Sequence, residues 1–164
     1  MNYYGNRTKG EIKKVVHNIC VIFGNNNPDL ISRSEALCNE TLCAESRYGQ
    51  EPDHTETTGI GIAQFDPVGY YDMKRNSMKY SDLIFEKFKF EMDILLLEHS
   101  RYDEVTSILY MRLKYKRDPN KIPGNRKERS NYWKDVYNTV AGAGTPEHYV
   151  ENSNKILGEI KCQD

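Results

Sequence analysis

The sequence predicts a mainly α-helical protein with one short β segment after the second helix. Apolar residues recur every three or four positions over most of the chain, which is the period of an amphipathic helix. Asn27-Pro28 and Asp66-Pro67 each have the form of a helix N-cap followed by proline at the first helical position. Between residues 50 and 65 glycine and threonine replace this pattern, and Ile60 and Ile62 alternate as in a strand.

The helices are expected in a fixed order along the chain. Gly49 is the expected end of the second helix, because glycine readily adopts the left-handed conformation that follows a helix. The basic, proline-containing segment 117–131 is expected to form a surface loop. The apolar spacing predicts helices at 10–23, 28–48, from Pro67 onward, 81–98, 101–116, 128–139 and 146–157.

Composition restricts the classes of partner. The 23 Lys and Arg residues nearly balance the 24 Asp and Glu residues, so the net charge of -1 favours neither nucleic acid nor an anionic membrane. The longest apolar run near the N-terminus, 19–23, is too short to cross a bilayer, and no signal peptide is recognisable. With neither repeats nor a long linker, residues 1–164 are expected to form a single domain.

Four cysteines carry no metal-binding signature. None belongs to a CxxC pair or has a histidine at zinc spacing, so no metal site is expected. Free buried thiols are the favoured state, and a pairing of Cys38 with Cys43 in an oxidising compartment is left open. The cysteines are Cys20, Cys38, Cys43 and Cys162.

Glu45 is the leading candidate for catalysis. A glycosidase needs a carboxylic acid that stays protonated near neutral pH, and partial burial raises a glutamate pKa in that direction. Glu45 falls near the C-terminal end of the second helix, where the helix dipole also disfavours the carboxylate. Glu35 and Glu40 are rivals on the same helix, but Glu40 is rotated by about 140° from Glu45.

Two further patches suit the wall of a sugar-binding cleft. In 59–65 the glycines permit close approach of the backbone, and the Gln64 amide offers both a donor and an acceptor. Near the C-terminus, Tyr137 and Asn138 precede the glycine-rich segment 142–145, and the Tyr137 phenol is placed to bind the catalytic carboxyl or the sugar. Each patch alone has an ordinary explanation as a turn, a cap or a core contact; their joint occurrence favours a functional site.

These patches together resemble a known family over about residues 34–150. Glu45-Ser46 followed by Tyr48 resembles the Glu-Ser motif of the soluble lytic transglycosylases and goose-type lysozymes. The segment 61–64 is similar to their Gly-Leu-Met-Gln motif, and Tyr137-Asn138 resembles their Ala-Tyr-Asn-Ala-Gly motif. The ending of the chain is similar to phage-encoded members.

Three departures from the family pattern concern the substrate subsites. Ala63 stands where the family usually has methionine, and Val136 replaces the alanine before Tyr137. Gly142 follows Asn138 at a greater distance than in the family, so the third motif has a longer loop.

The resemblance implies a lysozyme-like α+β fold with the small β excursion after the catalytic helix. It implies cleavage of the β-1,4 bond between N-acetylmuramic acid and N-acetylglucosamine, with Glu45 as general acid and then general base and with no metal or organic cofactor. A monomer acting on bacterial peptidoglycan strands is expected. The residues implied in substrate binding are Ser46, Tyr48, Gly61, Ile62, Gln64, Tyr137 and Asn138.

Two questions stay open at this stage. Lytic transglycosylation needs one catalytic carboxyl, whereas lysozyme-type hydrolysis needs a second one, for which Asp53, Glu56 and Asp66 are candidates. A catalytically silent glycan-binding or virion protein, and an unrelated interaction protein with 81–116 as a docking hairpin, are the alternatives from other classes. The phage-like ending favours a protein of the host cytoplasm that reaches the periplasm through a permeabilising partner, or a virion-associated one.

Overall fold

The computed structural model describes residues 3–53, 58–139 and 142–158, and these are mainly helical. A 3₁₀ turn at Met78–Tyr80 joins α3 to α4, and a π-helical turn at Lys134–Asn138 extends α7. The helices are α1 Lys9–Ile22, α2 Pro28–Ser46, α3 Pro67–Ser77, α4 Ser81–Phe88, α5 His99–Tyr102, α6 Glu104–Arg117, α7 Arg126–Trp133 and α8 Pro146–Leu157.

The predicted helix starts at Asn27 and Asp66 are confirmed. The Asn27 side chain accepts a hydrogen bond from the Leu30 amide at 3.1 Å, and the Asp66 side chain accepts one from the Gly69 amide at 2.8 Å. Each side chain gives a hydrogen-bond partner to an amide that the first turn of a helix leaves without one. Such a cap contributes about 1 kcal/mol to the free energy of unfolding. Local sequence therefore fixes where α2 and α3 begin.

The end of α2 turns sharply away from the helix axis. Arg47 and Tyr48 both have left-handed backbone conformations, with φ of 48° and 62°, and Gly49 follows with φ of 86°. The Tyr48 amide donates to the Leu42 carbonyl at 2.8 Å and so closes the last turn. The expected stop near Gly49 is confirmed, and the abrupt turn leaves the C-terminal end of α2 at the edge of a cleft.

The core is built around α2 and α6. Helix α2 packs against α1, α6, α7 and α8, and α3 and α5 pack against α6. Most of α6 is buried, including every residue from Ile108 to Leu113. Because α6 is covered on nearly all sides, its sequence lacks a clear polar face.

The expected β segment is not formed in the part of 50–66 that the structure describes. The described residues here contain only an isolated antiparallel bridge between Ile60 and Phe65. Gly61 and Gln64, with φ of 74° and 51°, reverse the chain within a few residues, so no ladder extends from the bridge. Residues 54–57, which belong to the expected segment, lie outside the described residues.

Two other predicted boundaries were wrong. The helix predicted over 81–98 ends at Phe88, where Lys89 takes a left-handed conformation with φ of 58°, and irregular turns follow up to α5. Helix α7 begins at Arg126, inside the predicted loop 117–131, because the Asn125 side chain accepts from the Glu128 amide and caps it. None of the helices in the described ranges has the length and apolar character needed to cross a membrane.

Candidate functional site

A cleft of about 750 Å³ opens at the C-terminal end of α2. Its walls come from the 58–66 turn, Lys114 of α6, the end of α7 with its π turn, and the 142–145 segment with the start of α8. Its volume lies within the range of small-molecule sites, about 300–1,000 Å³. Glu45 lies in the wall of this cleft, as the sequence predicted.

The Glu45 carboxyl is partly buried and held in place by one donor. Its Oε1 accepts a hydrogen bond from the Trp133 Nε1–H at 2.8 Å. Burial raises the pKa of Glu45 to about 7, although the Trp133 hydrogen bond and the positive charge of Lys114 both lower it. The group is therefore populated in both protonation states near neutral pH, which is what a residue acting first as acid and then as base requires.

Lys114 brings a positive charge to the same wall. Its Nζ donates to the Tyr137 carbonyl at 2.8 Å and lies 4.3 Å from the centroid of the Tyr137 ring. Burial lowers the pKa of Lys114, and the negative charges of Asp66 and Glu45 oppose this. Lys114 thus supports the ionised form of Glu45 from a fixed position on α6.

Tyr137 lines the cleft with its ring, but its hydroxyl is committed elsewhere. The hydroxyl donates to the Ala63 carbonyl at 2.6 Å, and the ring stacks on Tyr115 with centroids 5.3 Å apart. Burial raises the pKa of Tyr137 well above its usual value, so the phenol stays protonated. The predicted hydrogen bond from this phenol to the catalytic carboxyl is not formed; instead the phenol joins the π turn to the 58–66 turn.

Gln64 and Asn138 both reach the cleft, as predicted. The Gln64 amide nitrogen donates to the Tyr4 hydroxyl at 2.7 Å and to the Gly61 carbonyl at 2.9 Å, while its buried oxygen has no hydrogen-bond partner. The Asn138 side-chain oxygen accepts from the Lys134 ammonium at 2.8 Å. Both amides are held in defined orientations before any ligand binds.

Ser46 and Tyr48 do not line the cleft, which corrects their predicted role in substrate binding. Ser46 follows Glu45 by one position, about 100° around the helix, and is fully buried. Its hydroxyl donates to the Ile62 carbonyl at 2.7 Å and accepts from the Gly49 amide at 3.0 Å. Tyr48 is buried beside α1, and its hydroxyl donates to the Asn39 side chain. Through these hydrogen bonds, both residues hold the C-terminal end of α2 in position.

Gly61 and Ile62 also lie behind the cleft wall and not on its surface. A Cβ on Gly61 would lie 2.4 Å from the Ser100 carbonyl oxygen, and its φ of 74° is strained for any other residue. The Ile62 side chain is fully buried in the core. Neither residue belongs to the cleft lining, where the sequence analysis had placed them; they shape the turn that carries Gln64.

The candidates for a second carboxylate differ in their positions. Asp53 is absent from the cleft lining; it accepts from the Gly61 amide at 2.9 Å and forms an ion pair with Arg101. Asp66 is exposed at the cleft rim, where it caps α3, and Glu51 lies on the same rim in an ion pair with Arg47 at 3.0 Å. Glu56 lies outside the described residues.

The two rival acids on α2 are engaged away from the cleft. Glu40 is buried in a cluster with Arg129 at 2.7 Å and Arg126 at 2.9 Å, and it also accepts from the Tyr149 hydroxyl at 3.0 Å. Glu35 pairs with His17 at 2.8 Å on the outside of α2. Neither belongs to the lining of the cleft, which leaves Glu45 as the candidate acid from this helix.

Several cleft residues were missed by the sequence analysis, among them Trp133, Lys114 and His148. Trp133, the single tryptophan of the chain, donates to Glu45 and packs on Tyr149 with centroids 5.2 Å apart. His148 of α8 also lines the cleft, with its Nε2 3.1 Å from the Ala44 carbonyl oxygen. The rarity of tryptophan was a usable signal for Trp133, whereas nothing in the local sequence distinguishes Lys114 or His148 from surface residues.

The described part of the chain contains no group of three or more His, Cys, Asp or Glu side chains placed to hold a metal ion. The thiols of Cys20, Cys38 and Cys43 are buried and free, and Cys162 lies outside the described residues.

Comparisons of the chain with protein-family models, with curated proteins and with solved structures each found no match. The resemblance to lytic transglycosylases therefore rests on the short motifs alone.

Proposed function

We propose that the protein is a peptidoglycan-cleaving enzyme in which Glu45 is the catalytic acid and base. The observation that carries this proposal is a partly buried glutamate in the wall of a cleft, with its pKa raised to about 7 and one oxygen fixed by an indole N–H. A solvated helix-end glutamate, the ordinary alternative, would keep a pKa near its usual value of about 4.3. The lysozyme-like fold that the motifs imply is part of the same proposal.

The proposed reaction is lytic transglycosylation. Glu45 donates its proton to the glycosidic oxygen, which leaves with N-acetylglucosamine as the bond to the muramic acid C1 breaks. The carboxylate then takes the proton of the muramic acid C6 hydroxyl as that oxygen attacks C1, which gives a 1,6-anhydro ring and consumes no water. Lys114 stabilises the carboxylate form between these two proton transfers.

The ion pairs of Asp53 and Glu51 support this route over hydrolysis. Asp53 is held by Arg101 and the Gly61 amide, and Glu51 is paired with Arg47. Asp66 is on the cleft, so a hydrolase that uses Asp66 to position a water is the second candidate function.

The glycan contacts are assigned to the Gln64 and Asn138 amides, the Tyr137 ring and the 142–145 segment. These replace the contacts first predicted for Ser46, Tyr48, Gly61 and Ile62.

The biological setting remains as the sequence suggested it. We propose a monomer that acts on bacterial peptidoglycan and is delivered from the host cytoplasm by a permeabilising partner or carried by a virion.

The test is mass spectrometry of the muropeptides that wild type, Glu45→Gln and Glu35→Gln release from purified peptidoglycan. We expect 1,6-anhydro-muramyl products from wild type and from Glu35→Gln, the matched control on α2, and their loss from Glu45→Gln by about 10²-fold or more. If wild type released products with reducing muramic acid ends, the reaction would be hydrolysis and not transglycosylation. Asp66→Asn would then test Asp66 as the second carboxylate. No release by wild type would contradict the enzymatic proposal and favour a silent glycan-binding protein.

A further inference from the structure

A second pocket, of about 410 Å³, lies away from the Glu45 cleft. It is formed by the N-terminal end of α2, the C-terminal part of α6 and the loop that follows α6, and it shares no lining residue with the cleft. Its volume falls in the range of small-ligand sites, about 300–1,000 Å³. Neither the proposed reaction nor the motifs of the sequence assign it a role.

The buried guanidinium of Arg112 is the unusual feature of this pocket. Arg112 lines the pocket with only 2% of its surface exposed, and its Nε is enclosed without a hydrogen-bond partner. A buried N–H group that lacks a partner is costly, because the protein interior replaces the water that would otherwise accept its hydrogen bond. A ligand that accepts hydrogen bonds from this guanidinium would remove that cost.

The charges around Arg112 leave a positive excess. Four cationic side chains line the pocket, Arg33, Arg112, Lys116 and Lys121, against two acidic ones, Asp29 and Asp118. Both carboxylates are already engaged: Asp29 pairs with Arg33 at 2.7 Å, and Asp118 accepts from the Asn120 amide at 2.9 Å.

Lys116 and Arg112 both line the pocket, so that two positive charges lie in the same confined space. Burial lowers the pKa of Lys116, and the positive charge of Arg112 lowers it further. An anion bound between the two would relieve both their desolvation and their mutual repulsion.

The N-terminal end of α2 adds to the same field. Asn27, Asp29 and Leu30, from the cap and first turn of this 19-residue helix, line the pocket, so the positive end of the helix dipole is directed to it. Arg33 follows one turn later and is oriented by Asp29 and by the Ile122 carbonyl, to which it donates at 3.2 Å. The Arg33 guanidinium is therefore held in place by the fold.

We propose that this pocket binds the phosphate group of a small phosphate monoester. A phosphate monoester carries a charge of about −1.5 to −2 near neutral pH and three acceptor oxygens, which matches the excess of positive charge in the pocket and the Arg112 Nε–H that has no partner. The pocket volume leaves room for the organic part of the ester beside the loop at 118–122.

The test compares the thermal unfolding of wild type in sodium chloride, inorganic phosphate and glycerol 3-phosphate at equal ionic strength. We expect the Tm to rise saturably with both phosphates, by mass action, and to rise at lower concentration with the ester. The Nε–Hε resonance of Arg112 should shift with the same apparent Kd. Equal Tm values in phosphate and chloride would overturn the proposal; a gain with inorganic phosphate and none with the ester would overturn the assignment to a monoester.

Three variants assign the effect to the pocket. Arg112→Met should weaken phosphate binding by about tenfold or more, because a charge-assisted hydrogen bond contributes about 1.5–3 kcal/mol. Lys121→Gln, at an exposed position of the pocket rim, should weaken phosphate binding by a smaller factor. This variant replaces Arg112→Met in the test if Arg112→Met fails to fold. Lys87→Gln removes the same charge from exposed α4 and should leave the Kd unchanged. Retention of the wild-type Kd by Arg112→Met, or by Lys121→Gln where it alone folds, would overturn the proposal.

Discussion

At Glu45, burial and two neighbouring groups act on the pKa in opposite directions. Burial favours the neutral acid, and the Trp133 N–H and the Lys114 ammonium favour the carboxylate. The outcome, a pKa of about 7, depends on residues from three helices that lie far apart in sequence. Changes at any of these residues should therefore be measurable in the titration of one carboxyl.

The first prediction concerns stability. The pKa of Glu45 is raised in the folded state from 4.5 to about 7, so the folded protein binds this proton more tightly than the unfolded chain does. Ionisation of Glu45 then destabilises the fold progressively as the pH rises through this window, and the penalty is complete above about pH 7. Glu45→Gln removes it and should raise the free energy of unfolding by about 3 kcal/mol at alkaline pH, since a tenfold change in proton affinity corresponds to about 1.4 kcal/mol.

Urea unfolding of wild type and Glu45→Gln on either side of this window checks the prediction. Below about pH 4 the two proteins should agree, because Glu45 is protonated in both states of the wild type. A difference that is the same at both pH values would show that packing, and not ionisation, accounts for it.

The second prediction concerns the indole donor. Trp133→Phe retains an aromatic ring beside Tyr149 but removes the N–H that bonds to Glu45. Since this hydrogen bond lowers the pKa of Glu45, its loss should raise that pKa and move the alkaline limb of the kcat/KM profile to higher pH. Lys114→Met should move it in the same direction because it removes the second group that lowers the pKa.

A ¹³C titration of the Glu45 carboxyl measures the same shift without depending on activity. An unchanged midpoint in Trp133→Phe would mean that the indole does not stabilise the carboxylate in solution, and a lower midpoint would contradict the sign of the argument.

At the scale of elements, the position of α7 relative to α2 depends on a buried cluster of charges. Glu40 of α2 is held by Arg126 and Arg129 of α7 and by the Tyr149 hydroxyl of α8. The same three helices carry Glu45, Trp133 and His148 to the cleft. The cluster therefore sets the geometry of the site without lying in it.

The third prediction tests this cluster. Glu40→Gln leaves two buried guanidinium groups without their counter-ion, and loss of one partner of a buried ion pair costs about 3–5 kcal/mol. We expect a fall of that size in the free energy of unfolding from urea titration. The control Glu35→Gln, at a partly exposed position of the same helix, should change it by less than about 1 kcal/mol. Similar losses in the two variants would show that the cluster is not what joins α2 to α7.

At the scale of the whole molecule, α2 and α6 join the other helices into one hydrophobic core. Buried residues from α1 to α8 belong to a single cluster, with Ile19, Leu42, Ile108 and Trp133 from four different helices among them. An element that lost its contact with this cluster would expose apolar surface on its neighbours as well, which is the usual basis of cooperative unfolding.

The fourth prediction is a single calorimetric unfolding transition. The calorimetric and van't Hoff enthalpies should agree, and the heat-capacity change should be about 2 kcal/mol/K for a chain of this length. Two transitions, or a calorimetric enthalpy that clearly exceeds the van't Hoff value, would show that part of the chain unfolds independently.

Local chemistry determined much of the fold in advance. The caps at Asn27 and Asp66, the stop near Gly49 and the apolar spacing of α1 and α8 are short-range features, since a side-chain oxygen three residues away or a left-handed glycine acts within its own turn. Prediction was wrong where tertiary contacts decide the outcome. Among the described residues, the strand expected near Ile60 and Ile62 is reduced to the single bridge between Ile60 and Phe65, and α4 ends at Phe88 although apolar residues continue beyond it.

The sequence by itself determined the helical class of the protein, most helix starts and the position of Glu45 near the C-terminal end of α2. Only the tertiary structure decided which residues face Glu45. Trp133 and Lys114 approach it from α7 and α6, whereas Ser46 and Tyr48, beside it in sequence, are turned into the core. The reason is geometric: a helix rotates adjacent residues by about 100°, so the partners of a side chain come from packed helices and not from its neighbours in the chain.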